Sequence, residues 1–355
     1  MPKIVFTGGG SAGHVTLNLA LIPYFIAHGW QVDYIGSKGG MEQELVKKFP
    51  EVKYYSVPTG KLRRYFSLKN ATDMIKIPLG CLKATWLIKK LNPDVIFSKG
   101  GFVSFPVVVG GYINHKKIYM HESDLTPGLA NKLSLPFVGT FYTTFPETIN
   151  SVKQKNKVRC VGPVLSDRLF NGNREKGAEF TGLKSNKPTI MFIGGSLGAQ
   201  SLNQAVAANL EKLLKSYQVI HIAGKNGYNP ELKGEGYAQY EYVDKELKDL
   251  MALADVVISR AGSNSIFELA SLYKPMILVP LPNTASRGEQ SLNAQSFVNK
   301  GYAEIIKDED IANEKILFPT LEKMFKNQKI YSDAMKQNPV KITTAEALSA
   351  EIAKI

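Results

Sequence analysis

The residues with the clearest chemical potential are Ser263, Asn264, Ser265 and Glu268. They follow a short apolar run, Asp255 to Ser259, and a small polar turn from Arg260, and they open a stretch, Ile266 to Leu272, with apolar residues at helical spacing. A helix start leaves about four backbone N–H groups unpaired and carries partial positive charge, so it suits a phosphate. Glu268, three residues past Ser265, sits one turn below that position, where a carboxylate accepts hydrogen bonds from ribose hydroxyls. Spacing alone also describes an ordinary strand–helix junction with a surface Glu. His14 directly follows the glycine-rich GGGSAGH at the mouth of the first strand, and an imidazole there can act as base or donor near neutral pH, or simply cap and pack. His121-Glu122-Ser123-Asp124 ends another strand-like run, and reads either as an acceptor or base site or as a solvated loop.

The elements that must position these groups read as an α/β protein. Lys3 to Thr7 is a strand, and Gly8, Gly10 and Gly13 have the G-x-G-x-x-G spacing of a Rossmann-type opening before a helix from about Val15 to Ala27. A dinucleotide site also wants an acid at the end of the second strand. That strand, Gln31 to Ile35, ends in Gly36-Ser37 with Asp33 inside it, which disfavours a nicotinamide cofactor. The run Asp94 to Ser104 then parallels Asp255 to Ser265, and Ile4 to Gly9 parallels Ile190 to Gly195. Two such pairs in the same order predict two βαβ-built halves. Further strands are expected at Gln218 to Ala223 and Gln239 to Val243, and helices at about Ala199 to Leu214, Gln290 to Asn299 and Thr343 to Lys354. The expected division is 1–162, 163–338 and a C-terminal helix in 339–355 that packs back on the first domain, with Gly162-Pro163 and the polar stretch Asn171 to Lys187 in the linker region.

At 355 residues and 44% hydrophobic content the chain can bury two cores. Lys plus Arg exceeds Asp plus Glu by 44 to 31, a net +13 that favours anionic partners, whether nucleic acid, phosphorylated small molecules or a membrane face. Cys81 and Cys160 stand far apart without CxxC spacing, which fits a reducing compartment. No signal peptide and no 18-residue apolar run is visible, so a cytoplasmic protein is expected. No DxD-like dyad or His/Cys cluster of metal-ligand spacing stands out, and neither a metal nor a cofactor is expected. Ile75, Leu79 and Trp86 mix with lysines over Met74 to Leu91, and Lys61, Arg63 and Arg64 precede them; the mixture suits either a core-facing helix or one lying on an anionic bilayer.

Taken together, GGGSAGH, FSKGGFVSFP, HESDLTPGLAN, GGSLGA, SRAGSNSIFE and RGEQSLNA resemble the MurG-type N-acetylglucosaminyltransferases of peptidoglycan synthesis, in order, from residue 2 to about 300. The resemblance implies two Rossmann-like parallel-sheet domains facing across a cleft (the GT-B arrangement) and an inverting, metal-free transfer. N-acetylglucosamine would pass from its UDP derivative to the muramoyl 4-hydroxyl of undecaprenyl-diphospho-muramoyl-pentapeptide. It implies work at the cytoplasmic face of the cell membrane, as a peripheral protein, with no nucleic acid partner. Carried over by position, Glu268 would hold the ribose, and Ser263, Asn264, Ser265, Ile266 and Phe267 the diphosphate and sugar. Gln290 would meet sugar hydroxyls, Ser196 would lie by the phosphates, and Val243 would offer backbone to the uracil. Ser11, Ala12 and Gly13 would join the donor site from the first domain, with His14 the base and Glu122 the reserve. Lys61, Arg63, Arg64, Ile75, Leu79 and Trp86 would meet the membrane and acceptor. Two positions depart from the family pattern: Asp124 stands where Asn is usual, and Ser166 where Arg is usual, leaving Arg168 as the nearby cation on the donor side. The rival readings are a glycosyltransferase of the same fold with a soluble or sterol acceptor, an NAD-linked oxidoreductase and a non-catalytic basic binding module.

Overall fold

A computed structural model describes residues 1–354 apart from 61–67, 196–197 and 283–286, and leaves out the side chains of Ala12, residues 68–75 and Asp167. Lys61, Arg63, Arg64 and Ser196, and the side chains of Ala12 and Ile75, therefore lie outside the described residues. The chain forms two compact units, 1–164 with 341–355, and 165–340.

The first unit carries strands β1 (Lys3–Thr7), β2 (Gln31–Gly36), β3 (Lys53–Ser56), β4 (Val95–Ser98), β5 (Lys117–Glu122), β6 (Thr140–Thr143) and β7 (Val158–Cys160). Its helices are α1 (Thr16–Ala27), α2 (Met41–Val46), α3 (Leu68–Leu91), α4 (Ser104–Ile113) and α5 (Leu129–Ser134). The second unit carries α6 (Arg174–Thr181), β8 (Thr189–Ile193), α7 (Gln200–Ser216), β9 (Gln218–Ile222), β10 (Tyr237–Tyr240), α8 (Leu247–Leu253) and β11 (Val256–Ser259). It continues with α9 (Ser263–Ser271), β12 (Met276–Leu278), α10 (Glu289–Asn299), β13 (Ala303–Ile305), α11 (Glu314–Lys326) and α12 (Gln328–Gln337). A last helix, α13 (Ala345–Ile352), belongs to the first unit.

Both sheets are parallel throughout, in the orders β3-β2-β1-β4-β5-β6-β7 and β10-β9-β8-β11-β12-β13. The expected pair of α/β halves is thus present. Strands covered on both faces need apolar residues on both, so β1, β4, β8 and β11 read as near-continuous hydrophobic runs. The repeated Asp has a structural reason. Asp94 Oδ2 accepts from Lys3 N at 2.8 Å, and Asp255 Oδ2 accepts from Thr189 N at 2.8 Å. In each half the same carboxylate ties the start of the fourth or eleventh strand to its central neighbour.

Element ends differ from the sequence reading for local reasons. The strand expected at 239–243 runs from Tyr237 to Tyr240, because its partner β9 ends at Ile222. The tail helix begins at Ala345 because Thr343 is taken by a bridge to Val164, and the Thr344 side chain caps the helix by accepting from Ala347 N. Leu348 and Ile352 of α13 join the buried cluster of Phe6, Leu21, Ile22 and Phe25. Where the chain re-enters the first unit, Thr343 N donates to Pro163 O at 3.0 Å and its hydroxyl donates to Val161 O. Gly162, at φ +75°, turns beneath this clasp; a Cβ there would lie 1.8 Å from Lys341 O.

Candidate functional site

In an open parallel sheet, ligands bind outside the carboxyl ends of the strands where strand order reverses. In the second unit that point lies between β8 and β11, and a cavity of about 390 Å³ opens there. Its wall includes Gly194, Gly195, Gly198 and Ala199 after β8, Arg260, Gly262, Ser265 and Glu268 around α9, and Gln290 of α10. Leu247 and Met251 of α8 add an apolar side that sequence reasoning missed.

Helix α9 forms where Ile266, Phe267, Leu269 and Ala270 can all be buried while Asn264 and Ser265 stay exposed. Phe267 meets Phe297 of α10 edge-on, ring centroids 5.2 Å apart, and Asn293 Nδ2 donates to Ala261 O at 3.3 Å. These contacts set the helix start against α10. Gly262 precedes it with extended backbone and has no side chain with which to cap the helix. Glu268 lines the cavity, and burial alone pushes its carboxyl up to about 7.

Gln290 is oriented by the backbone: Leu281 N donates to its Oε1 at 3.1 Å, which turns the amide NH₂ away from that bond. Arg260 is the one basic side chain among the described residues of the cavity wall. Its guanidinium donates to Asp308, to Val279 O at 3.1 Å and to Ser201 Oγ at 3.0 Å. The basic residue after the strand was visible in the repeat, but its partners lie 48, 19 and 59 positions away, beyond the reach of spacing. Val243 is buried just past β10, and Arg168 is exposed on a short 3-10 turn, Asp167–Leu169, that packs against α8.

In the first unit the reversal falls between β1 and β4. The loop after β1 is held from below: Tyr34 Oη donates to Gly8 O at 2.7 Å, and buried Glu42 accepts from Ser37 N at 2.9 Å and Gly10 N at 3.4 Å. Gly101, after β4, packs so closely that a Cβ would stand 2.3 Å from Gly9 O and 3.2 Å from His14 Nδ1. His14 ends the 3-10 turn Ala12–His14, and its Nδ1 lies 2.9 Å from Ser11 Oγ. Ser11 and Gly13 are exposed and His14 is half-buried.

Glu122 has a different character. It is buried, and its carboxylate accepts from Ser123 N at 3.0 Å, Asp124 N at 3.1 Å, Gly128 N at 3.0 Å and Asn131 Nδ2 at 3.0 Å. Those bonds shape the loop that carries Asp124, and they engage the carboxylate in its own loop. Beside it, Lys99 Nζ donates to Ser123 Oγ at 2.6 Å. His121 is buried, and burial, with the Lys99 charge, holds its ring neutral.

On α3, Ala84, Leu87, Ile88 and Leu91 face the core, while Leu79, Leu82 and Trp86 are 52%, 70% and 60% exposed. The stripe 79–82–86 keeps three- to four-residue spacing on the outer face, with exposed Lys83, Lys89 and Lys90 around it. Lys90 Nζ stands 5.3 Å from the centre of the Trp86 ring. Leu79 and Trp86 are thus surface residues, which decides between the core-facing and outward readings for these two. No helix among the described residues is long and apolar enough to cross a membrane.

Comparison with known proteins places these features in a family. Residues 4–143 match the glycosyltransferase family 28 N-terminal domain, and residues 189–352 the family's C-terminal domain. The chain is 50% identical over 338 residues to UDP-N-acetylglucosamine--N-acetylmuramyl-(pentapeptide) pyrophosphoryl-undecaprenol N-acetylglucosamine transferase 2 of Bacillus cereus, covering 95% of both chains. It is 49% identical over 339 residues to the corresponding transferase of Clostridium perfringens, covering 95% of this chain and 94% of that one. The chain belongs to glycosyltransferase family 28, MurG type. The fold agrees with that placement. The crystal structure of Acinetobacter baumannii MurG superposes with a TM-score of 0.77 at 21% identity, covering all of both chains. Within this MurG-type family 28 chain, the cavity between β8 and β11 lies in the segment matched by the family's C-terminal domain, and the His14 loop in that matched by its N-terminal domain.

Proposed function

We propose that this protein transfers N-acetylglucosamine from UDP-N-acetylglucosamine to the 4-hydroxyl of the muramoyl sugar of undecaprenyl-diphospho-muramoyl-pentapeptide, with inversion. The observation that carries the reading is the cavity at the β8/β11 reversal, with the start of α9 and the half-buried Glu268 on one wall. The names of the Bacillus and Clostridium relatives supply the substrates. In this reading the diphosphate lies over the N–H groups and hydroxyls of Ser263 and Ser265, the ribose against Glu268, and the sugar within reach of the Gln290 amide.

The acceptor hydroxyl attacks the anomeric carbon as the bond to UDP breaks, and its proton passes to His14 Nε2. For that, Nδ1 must carry a proton donated to Ser11 Oγ, the partner 2.9 Å away. Negative charge grows on the leaving diphosphate, and fixed donors at the helix start stabilise it, each by about 3 kcal/mol where such donors have been removed singly. Glu122, engaged in its own loop, is set aside as the base. Ser11, Ala12, Gly13, Asp124, Arg168, Ser196 and Val243 remain assigned to the donor side through the resemblance. The outward stripe Leu79–Leu82–Trp86 with its lysines suits the anionic inner face of the cytoplasmic membrane, where the lipid-linked acceptor resides, and makes the protein peripheral there.

The test is turnover with a lipid-linked muramoyl acceptor and UDP-N-acetylglucosamine. His14→Ala is expected to lower kcat by about 10²- to 10⁴-fold while donor affinity stays unchanged. Near-normal turnover of that variant at saturating acceptor would remove His14 from the base role, and failure of the wild type to glycosylate the acceptor would overturn the reading itself.

A further inference from the structure

A buried relay of side chains runs behind the cavity wall without touching the cavity. His221 of β9 is 1% exposed, and its two ring nitrogens have different partners. Nε2 lies 2.9 Å from Asn203 Oδ1, and Nδ1 lies 2.9 Å from Tyr237 Oη. Asn203 Nδ2 in turn donates to Ala223 O at 3.0 Å, which fixes the amide's orientation. An amide oxygen only accepts, so Nε2 must carry the proton. Burial lowers the imidazole pKa to about 4, so the ring is neutral and Nδ1 is left as an acceptor for the Tyr237 hydroxyl. Every bond then points one way, from Tyr237 through His221 and Asn203 to the Ala223 carbonyl, the arrangement in which neighbouring hydrogen bonds reinforce each other.

The relay ends at the turn that makes the wall. Asn203 stands in the first turn of α7, directly after wall residues Ala199 and Gln200. Gly198, at φ +83°, turns against the Ala223 carbonyl; a Cβ on it would lie 2.3 Å from that oxygen. Gly227 closes the other side, with room for no Cβ between Asn203 Nδ2 and Ala223 O. On its far face the same turn of α7 is held by Ser201, through Arg260 and Asp308. The wall residues Gly198, Ala199 and Gln200 are therefore held from two sides, and of the two clamps only the relay carries a titratable ring with a single permitted tautomer.

We propose that His221 is a positioning residue of the donor cavity, holding the wall residues Gly198, Ala199 and Gln200 in place through Asn203 and the Ala223 carbonyl. The inference rests on the reading of this cavity as the sugar-nucleotide site. It does not make His221 a ligand.

The test combines calorimetric titration with UDP-N-acetylglucosamine, steady-state kinetics and thermal melting on His221→Leu, His221→Gln and Tyr237→Phe, with Glu268→Ala as the control. His221→Leu keeps the buried volume and loses both polar links. Its donor Kd and KM are expected to rise about tenfold, as for loss of a buried polar partner, with acceptor KM little changed and the melting midpoint lowered because Asn203 Oδ1 and Tyr237 Oη lose their partner. His221→Gln can return an N–H to Asn203, and is expected to bind donor within about threefold of wild type. Tyr237→Phe removes the donor to Nδ1 while leaving the Asn203 link that fixes the tautomer, should fall between them, and decides the matter if His221→Leu does not fold. Donor affinity in Tyr237→Phe and His221→Leu equal to wild type, alongside a weakened Glu268→Ala, would overturn the positioning role alone. A Glu268→Ala variant that binds like wild type would overturn the site reading, and the inference with it.

Discussion

Replacing Glu268 by Gln should make the protein more stable and worse at holding its donor, with both effects following one titration. The carboxyl is pushed up to about 7 by burial, from an ordinary 4.5. A folded-state pKa raised in this way favours the protonated form, so the stabilising balance is full below pH about 4.5 and declines as pH rises toward 7. A shift of that size corresponds to on the order of 3 kcal/mol, an upper figure because the carboxyl opens onto the cavity. Glu268→Gln removes the titration. At pH 8 its melting midpoint should exceed that of wild type by several degrees, at about 2–4 °C per kcal/mol for a domain of this size, and the gap should vanish near pH 4.5. Binding runs the other way. Ribose hydroxyls donate to the ionised carboxylate, so affinity for UDP-N-acetylglucosamine in the wild type should be about tenfold higher at pH 8 than at pH 6, as expected for a group half-ionised near 7. The sugar nucleotide is the right probe, because UDP itself has a terminal phosphate that titrates near pH 6. Calorimetry in buffers of different ionisation enthalpy should detect a proton released on binding around pH 6.5, and the Gln variant should show neither the release nor the slope. A wild-type affinity flat from pH 6 to 8, or a slope retained in Glu268→Gln, would refute the assignment.

Two further outcomes follow from the first unit. Trp86→Glu combined with Lys83→Glu and Lys90→Glu should abolish sedimentation with anionic vesicles while leaving donor titration intact, since each basic residue near such a surface contributes about 1 kcal/mol; unchanged sedimentation would place the membrane contact elsewhere. Gly162→Ala forces a side chain into a left-handed turn against Lys341 O and should cost more than about 2 kcal/mol, read as a lowered melting midpoint; a midpoint equal to wild type would contradict the tightness of that clasp.

Much of the architecture was legible because parallel strands buried on both faces spell themselves as apolar runs, and because the chain repeats its own pattern. Asp94 and Asp255 stood out as matched letters before their shared task, tying down Lys3 N and Thr189 N, was visible. The α9 corner was legible for the same reason, since strand, glycine turn, small polar residues and Glu268 lie within one short stretch. What spacing could not supply were bonds closed across the fold. Glu122 read as a reserve base or as part of a solvated loop, and spacing gave no sign that Gly128 N and Asn131 Nδ2, as well as its immediate neighbours, donate to its oxygens. Arg260 stood out only as the basic letter of the repeat, and its bonds to Ser201, Val279 and Asp308 close across the fold. The outward stripe of α3 was half legible, because Leu79 and Trp86 and the buried Leu87 and Ile88 look alike in a list of apolar letters until the α3–α4 packing shows which side is inward.

The return of α13 to the cluster around Phe25 has a consequence for biosynthesis. A ribosome emits residues 165–340 before it emits 341–355, so the later-numbered unit can finish folding while the earlier one still waits for its closing helix. During that interval the groove awaiting Leu348 and Ile352 stays open to the nascent chain's surroundings, a natural foothold for a chaperone. Removal of residues 341–355 would uncover Phe6, Leu21, Ile22 and Phe25 on the side that Leu348 and Ile352 cover, in the unit that holds His14.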